Sequence, residues 1–92
     1  MMKPLLMGDV IALARAMRAA PEAQRAALIA QVFEDARTAA DFARHMRKTH
    51  PRLGNGSVMA ASAGYPQVPE PWLTDRDYCR CLRDIFDVLC DC

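Results

Sequence analysis

Hydrophobic side chains recur at helical spacing from the start of the chain. After Gly8 and Asp9, an apolar stripe begins at Val10 and stops before Pro21, which predicts a short first helix with Asp9 as its N-cap. From Pro21 to Lys48 the apolar positions again follow one helical face, with proline suited to the first turn. We therefore expect a helical hairpin over residues 1–48 with a long second helix.

The length of this second helix raises two alternatives. Unbroken, it would measure about 42 Å at 1.5 Å per residue, whereas a compact chain of this size has a radius of gyration of about 12 Å. The helix either extends to meet a partner or breaks at Thr38–Asp41, where the sequence has the form of a capping box. Its broad alanine-rich face includes Val32 and Phe33, and small side chains allow close helix packing. We expect this face to mediate a homo-oligomer.

Residues 49–74 change in character, since they hold four of the six prolines and three of the four glycines. Ser57 is placed to cap a short helical turn, and the prolines between Tyr65 and Pro71 favour an extended strap. Tyr65, Val68 and Trp72 either pin this strap to the helices or form an exposed aromatic groove for a partner.

Residues 75–92 predict an amphipathic C-terminal helix capped by Thr74. On a helical wheel Leu82, Phe86 and Leu89 share the apolar arc, while arginine and aspartate occupy the opposite side. This arc either packs into the core or presents a binding surface to another protein.

The four cysteines form two C-x-C pairs on this last helix. Cys79 and Cys90 share one side of it but lie eleven residues apart, about 16 Å along the axis, and the same holds for Cys81 and Cys92. This separation excludes a Cys79–Cys90 or a Cys81–Cys92 disulfide on one intact helix. It also excludes a zinc site made of all four cysteines. The cysteines are predicted to be small hydrophobes at the margins of the apolar arc, and no cofactor is expected. A frayed Cys90–Cys92 end that binds metal or forms redox-linked dimers is the alternative.

Charge is distributed unevenly although the chain carries a net charge of only +1. Five basic residues against the single acid Asp41 give residues 37–52 a charge of +4, whereas three arginines against six acids give residues 70–92 a charge of −3. The basic segment is either a solvated helix end or a patch that contacts nucleic-acid phosphates without reading sequence. Its cations are Arg37, Arg44, Arg47, Lys48 and Arg52.

Several functional classes find no support in the sequence. No nucleophile elbow, zinc-protease, phosphate-loop or dinucleotide-binding motif is present, so we expect no enzymatic activity. No apolar stretch is long enough to span a bilayer, and the chain is expected to be cytoplasmic, where thiols stay reduced. The fold class predicted is a single all-α domain over residues 1–92.

Three stretches carry a resemblance to known sequences: KPLLMGDVIALARAM, HPRLGNGSVMAAS and PEPWLTDRDYCRCL. Together they resemble a family of small uncharacterised proteins of alphaproteobacteria of the Rhodobacter type, and the chain is similar to the small-terminase-like protein of gene-transfer-agent clusters. The resemblance implies a non-enzymatic DNA-packaging adaptor that oligomerises, contacts DNA and engages a large terminase. It assigns no functional residue to a position of this chain, and no helix-turn-helix is evident.

The sequence thus favours a non-enzymatic assembly or adaptor protein. A metal- or redox-responsive regulator built on the C-x-C pairs and a small structural subunit of an enzyme complex are the alternatives.

Overall fold

The computed structural model describes residues 2–91, and this part of the chain is all-α, as predicted. Its elements are α1 (Met7–Ala19), a 3-10 turn (Glu22–Gln24), α2 (Arg25–Met46), α3 (Val58–Ser62) and α4 (Arg76–Cys90). Helix α1 contacts the three other α-helices, and the core lies between them. The radius of gyration of the Cα atoms is 12.9 Å.

Helix α1 begins earlier than predicted, because Leu6 and not Asp9 is its N-cap. The Asp9 carboxylate accepts one hydrogen bond from the backbone N–H of Leu6 and one from the backbone N–H of Met59, each at 2.8 Å. Asp9 is buried, and these two bonds satisfy both of its oxygens. A residue predicted as a local cap therefore joins α1 to α3.

Helix α2 runs through residues 38–41 without a break, so the predicted break at Thr38–Asp41 is absent. It begins at Arg25 because Pro21 and the residues after it form the 3-10 turn. It ends at Met46 because Arg47 adopts a left-handed backbone conformation with φ 55°.

The expectation that Val32 and Phe33 bind a partner is wrong for this fold. Val32 is completely buried and Phe33 is 6% exposed, since α1 and α3 of the same chain cover this face of α2. The long helix therefore packs its apolar side into its own domain and leaves neither residue for a second copy.

The strap after α3 is pinned at two of the three predicted residues. The Tyr65 hydroxyl donates to the Asp35 carboxylate at 3.0 Å. Val68 exchanges two hydrogen bonds with Arg15 of α1, through its N–H at 3.3 Å and its carbonyl at 2.8 Å. Trp72 does not pin the strap, because 86% of its surface is exposed.

Helix α4 is capped by Asp75, not by Thr74, because the Asp75 carboxylate accepts the Tyr78 N–H at 2.9 Å. Its buried face is centred on Tyr78, Cys81 and Ile85. The apolar arc is therefore rotated away from the side of Phe86, which is 42% exposed.

This rotation corrects the roles of two residues of α4 and leaves two others as predicted. Leu82 is buried and Leu89 is partly buried, as expected of packing residues. Phe86 is not the buried anchor that was predicted, and Cys81 is a fully buried core residue, not a marginal one.

One ion pair ties α4 to the junction of α1 and α2. The Arg25 guanidinium donates to both carboxylate oxygens of Asp77, at 2.7 and 2.9 Å, and its Nε donates to the Met17 carbonyl at 2.8 Å. The hydrogen bond from Arg25 lowers the pKa of Asp77, and Arg18 adds a second cation at 3.4 Å. The short connection between α1 and α2 is thereby fixed to the first turn of α4.

Candidate nucleic-acid interface

The predicted basic segment occupies the C-terminal end of α2 and the loop that follows it. Arg37 and Arg44 lie two turns apart on the helix, Arg47 and Lys48 follow its last turn, and Arg52 lies in the loop. All five side chains are exposed, so the structure leaves the whole predicted set accessible to a ligand.

The loop that carries Arg52 is a closed turn held by His50. His50 and Gly54 exchange two backbone hydrogen bonds, at 3.2 and 3.3 Å. The His50 Nδ1 accepts the backbone N–H groups of Arg52 and Leu53, at 3.1 and 3.0 Å. In the neutral ring the proton therefore lies on Nε2.

Two close contacts fix this turn against α2. The His50 ring meets the Phe42 ring edge-on, with 4.8 Å between centroids. Gly56 has φ 94° and lies so close to α2 that a Cβ there would come within 2.9 Å of the Ala40 Cβ. Arg52 is thus held beside the end of α2 by backbone geometry, although its own side chain is free to move.

Nearby acids neutralise part of this positive charge. Arg37 lies 4.0 Å from Glu34, and Arg44 pairs with Asp41. Within residues 2–91, Arg47, Lys48 and Arg52 take part in no ion pair. These three cations form what we call the basic end of the molecule.

The structure adds one cation that the sequence pattern did not indicate. The backbone N–H of Lys3 donates to the Gly56 carbonyl at 3.1 Å, which brings the exposed Lys3 next to the same loop. The two residues are far apart in the chain and belong to no common pattern, so only the tertiary fold relates them.

The cysteines do not form a site in the part of the chain that the structure describes. Cys81 is buried, which raises the pKa of its thiol, and the Cys79 thiol donates to the Leu73 carbonyl at 2.7 Å. No group of three His, Cys, Asp or Glu side chains among residues 2–91 is arranged to hold a metal ion. Cys92, and with it the predicted Cys90–Cys92 metal or redox end, lies outside the described residues.

Two surface depressions, a groove and a cleft, are the remaining places where a ligand could bind. A groove of about 560 Å³ between α1, α2 and the strap is lined by four alanines and two glutamines together with Leu28, Tyr65 and two prolines, and no carboxylate, histidine or cysteine lines it. A cleft of about 410 Å³ between α2 and α4 is lined by both acidic and basic side chains, including Glu22, Arg80 and Asp87. None of the helices described here contains an apolar stretch that could cross a bilayer.

Comparison with protein families gives a match over residues 3–89, to a family described as Domain of unknown function (DUF7742). No curated protein and no solved structure matches the chain.

Proposed function

Because the chain belongs to the DUF7742 family, whose description assigns no activity, we propose a function from the site itself: a non-enzymatic adaptor whose basic end binds the phosphate backbone of nucleic acid. The observation that carries the proposal is the exposure of Arg47, Lys48 and Arg52 without an acidic partner among residues 2–91. Cations in this state are available to replace the counterions of a polyanion.

The position of the basic end favours nucleic-acid binding that is independent of base sequence. Reading base edges requires a helix or ribbon that enters a groove, whereas these cations lie at a helix end and in a turn. Helix α3, which follows the turn, has only five residues. Phosphate contact without base contact gives weak and salt-sensitive affinity.

The sharper form of the proposal is a DNA-packaging adaptor that hands DNA to a large terminase. It is supported by the similarity of the chain to the small-terminase-like protein of gene-transfer-agent clusters, alongside the resemblance of three stretches to a family of small alphaproteobacterial proteins. A protein partner of this kind would need an exposed apolar contact, and Trp72 and Leu73, 86% and 72% exposed, supply one at the start of α4.

Fluorescence anisotropy with labelled DNA duplexes of unrelated sequence tests nucleic-acid binding. We expect affinities that agree within about threefold between sequences, and a log–log dependence on salt with a slope of about −3 if all three cations contact phosphates. Arg47→Gln/Lys48→Gln should reduce the magnitude of this slope by about 2.

A matched control separates a local patch from net charge. Ala23→Glu/Ala30→Glu changes the net charge by the same −2 on exposed positions near the other end of α2. We expect this control to bind DNA almost as well as the parent. Equal loss of binding in both variants, or full binding by Arg47→Gln/Lys48→Gln, would show that the basic end is only a solvated helix terminus.

A further inference from the structure

The solvent-facing side of α4, which also forms one wall of the cleft against α2, carries its charges in two blocks. Arg76, Arg80 and Arg83 occupy the N-terminal half, and Asp84, Asp87 and Asp91 occupy the C-terminal half and the residue after it. At 100° per residue all six lie within a sector of about 100°. None of them takes part in an ion pair within residues 2–91, and five are exposed while Asp84 is half-buried.

This order of charges opposes the helix dipole. A helix is stabilised by acids near its N-terminus and by bases near its C-terminus, and the last turn of α4 contains no basic residue. The two acids at the N-terminal end, Asp75 and Asp77, already pair with Arg18 and Arg25. Within one chain the arginine at the first turn and the aspartates at the last turn are therefore placed unfavourably for the helix dipole, although Arg80 also helps to lower the pKa of Asp77.

The spacing of the blocks is self-complementary. Arg83 and Asp84 are neighbours, Arg80 and Asp87 lie equally far on either side of them, and so do Arg76 and Asp91. A two-fold axis through the point between Arg83 and Asp84 would place every arginine of one helix opposite an aspartate of an antiparallel copy. The dipoles of the two helices would also be antiparallel, and antiparallel dipoles side by side attract each other.

An apolar stripe runs along the edge of these charges. Cys79, Phe86 and Cys90 follow one another at helical spacing, and Phe86 is 42% exposed. The stripe continues beyond the helix, since the Leu73 carbonyl accepts the Cys79 thiol and both Leu73 and Trp72 are exposed. In the antiparallel arrangement the two Phe86 side chains would lie about 7.5 Å apart along the axis, near the centre of the contact.

We propose that α4 is a self-association surface on which a second copy of this chain packs antiparallel. Phe86 lies near the two-fold axis on the apolar flank of the contact, and three arginine–aspartate pairs, repeated on each side of that axis, form the other flank. The surface differs from the face of α2 that the sequence suggested, because that face is buried within the chain. It does not depend on the basic end, so self-association and DNA binding can fail separately.

A pair of complementary charge-reversal variants tests the arrangement, by sedimentation velocity on the full-length chain under reducing conditions. The parent should form a dimer at micromolar concentration that weakens as salt is raised. Arg80→Glu/Arg83→Glu alone, and Asp84→Arg/Asp87→Arg alone, should each dimerise at least about tenfold more weakly, because like charges then face each other. An equimolar mixture of the two should form a one-to-one heterodimer, seen by native mass spectrometry.

Restoration in the mixture excludes simple misfolding of either variant as the cause of the loss. A parent that stays monomeric at several hundred micromolar would overturn the proposal. Dimers that persist in both single variants, or a mixture that forms no heterodimer, would overturn it as well.

Cysteine cross-linking tests the direction of packing independently. In the antiparallel register Cys79 of one copy lies within about 3 Å, along the axis, of Cys90 of the other, whereas the same two residues of one chain lie about 16 Å apart. With Cys92→Ser and a mixture of isotopically light and heavy chains, a short bismaleimide should give intermolecular Cys79–Cys90 links. Predominant Cys79–Cys79 and Cys90–Cys90 links would indicate parallel packing and contradict the proposal.

Discussion

Cys81 differs from Cys79 and Cys90 in its environment, although the sequence predicted all three as residues at the margins of the apolar arc. Cys81 is completely buried, and burial raises the pKa of its thiol, so both access and the thiolate fraction are low. We predict that maleimide labels Cys79 and Cys90 in the native protein, and Cys81 only after unfolding. Mass mapping of labelled peptides before and after urea treatment checks this, and rapid native labelling of Cys81 would contradict its burial.

Cys81 and Phe86 also exchange the roles that their positions on the wheel predicted. Cys81→Ser should lower the free energy of unfolding by about 1–3 kcal/mol, because a hydroxyl group would be buried in an apolar site. Phe86→Ala should cost less than about 1.5 kcal/mol in the monomer, since much of the ring remains in water. Urea denaturation at a concentration below that of self-association measures both, and a larger loss for Phe86→Ala would reverse this ranking.

Asp77 makes the stability of the fold dependent on acid. The pKa of Asp77 is lowered in the folded state, chiefly by the hydrogen bond from Arg25. The contribution of ionised Asp77 to the free energy of unfolding is therefore complete above the ordinary aspartate pKa near 4, and it is lost as the pH falls through the lowered pKa of the folded state. Asp77→Asn should cost about 1 kcal/mol at pH 7, because a third of the carboxylate remains exposed to solvent, and should flatten the fall in stability below pH 4. Urea titrations between pH 2 and pH 7 measure this, with Asp87→Asn as the exposed control. An unchanged acid slope in Asp77→Asn would show that another carboxylate governs it.

At the scale of elements, the close approach of the loop after α2 to that helix depends on Gly56. A Cβ at Gly56 would approach the Ala40 Cβ and backbone to about 3 Å, and φ 94° is unfavourable for any other residue. Gly56→Ala should lower the free energy of unfolding by about 1–3 kcal/mol and displace the turn that carries Arg52. Gly64→Ala is the matched control, since Gly64 has no positive φ and a Cβ there would come no closer than 3.5 Å to its nearest neighbour, the Ala61 carbonyl oxygen. Thermal melts of the two variants compare them, and equal stability would contradict a close approach at Gly56.

Helical periodicity and turn residues predicted most of the elements. They indicated the short first helix, the long second helix, the Ser57 cap of α3 and the amphipathic last helix, all of which the structure contains. The N-caps of α1 and α4 were misplaced because Asp9 and Thr74 were predicted as local caps. Asp9 bonds to α3 as well as to its own helix, and the carboxylate of Asp75 took the position assigned to Thr74.

The candidate site could be predicted only in part. Five cations close together in the sequence identify a basic segment, and all are exposed in the fold. The addition of Lys3 and the pinning of the turn by Phe42 and Gly56 depend on tertiary contacts that leave no periodic signal. The rotation of the buried arc of α4 was missed because wheel position does not say which side a neighbouring helix covers.

At the scale of the whole molecule, α4 belongs to the core of the single chain. Tyr78, Cys81 and Ile85 are buried, and α4 packs on α1. Deleting residues 75–92 would uncover the apolar face of α1, so we predict loss of cooperative unfolding and of dispersed amide NMR signals. Deleting only residues 91–92 is the control and should leave the fold intact. A folded truncation that lacks α4 would contradict a core role for this helix.

The packing of α1 on α4 also has a consequence during biosynthesis. The centres of these two helices are separated by about 70 residues, which a ribosome adding 5–20 residues per second takes about 4–14 s to synthesise. Throughout that interval Leu13 and Met17, both fully buried in the finished protein, have no α4 to cover them. Until α4 is made, α1 is covered only by α2 and α3. The yield of folded protein is therefore expected to depend on chaperones that bind the side of α1 left exposed.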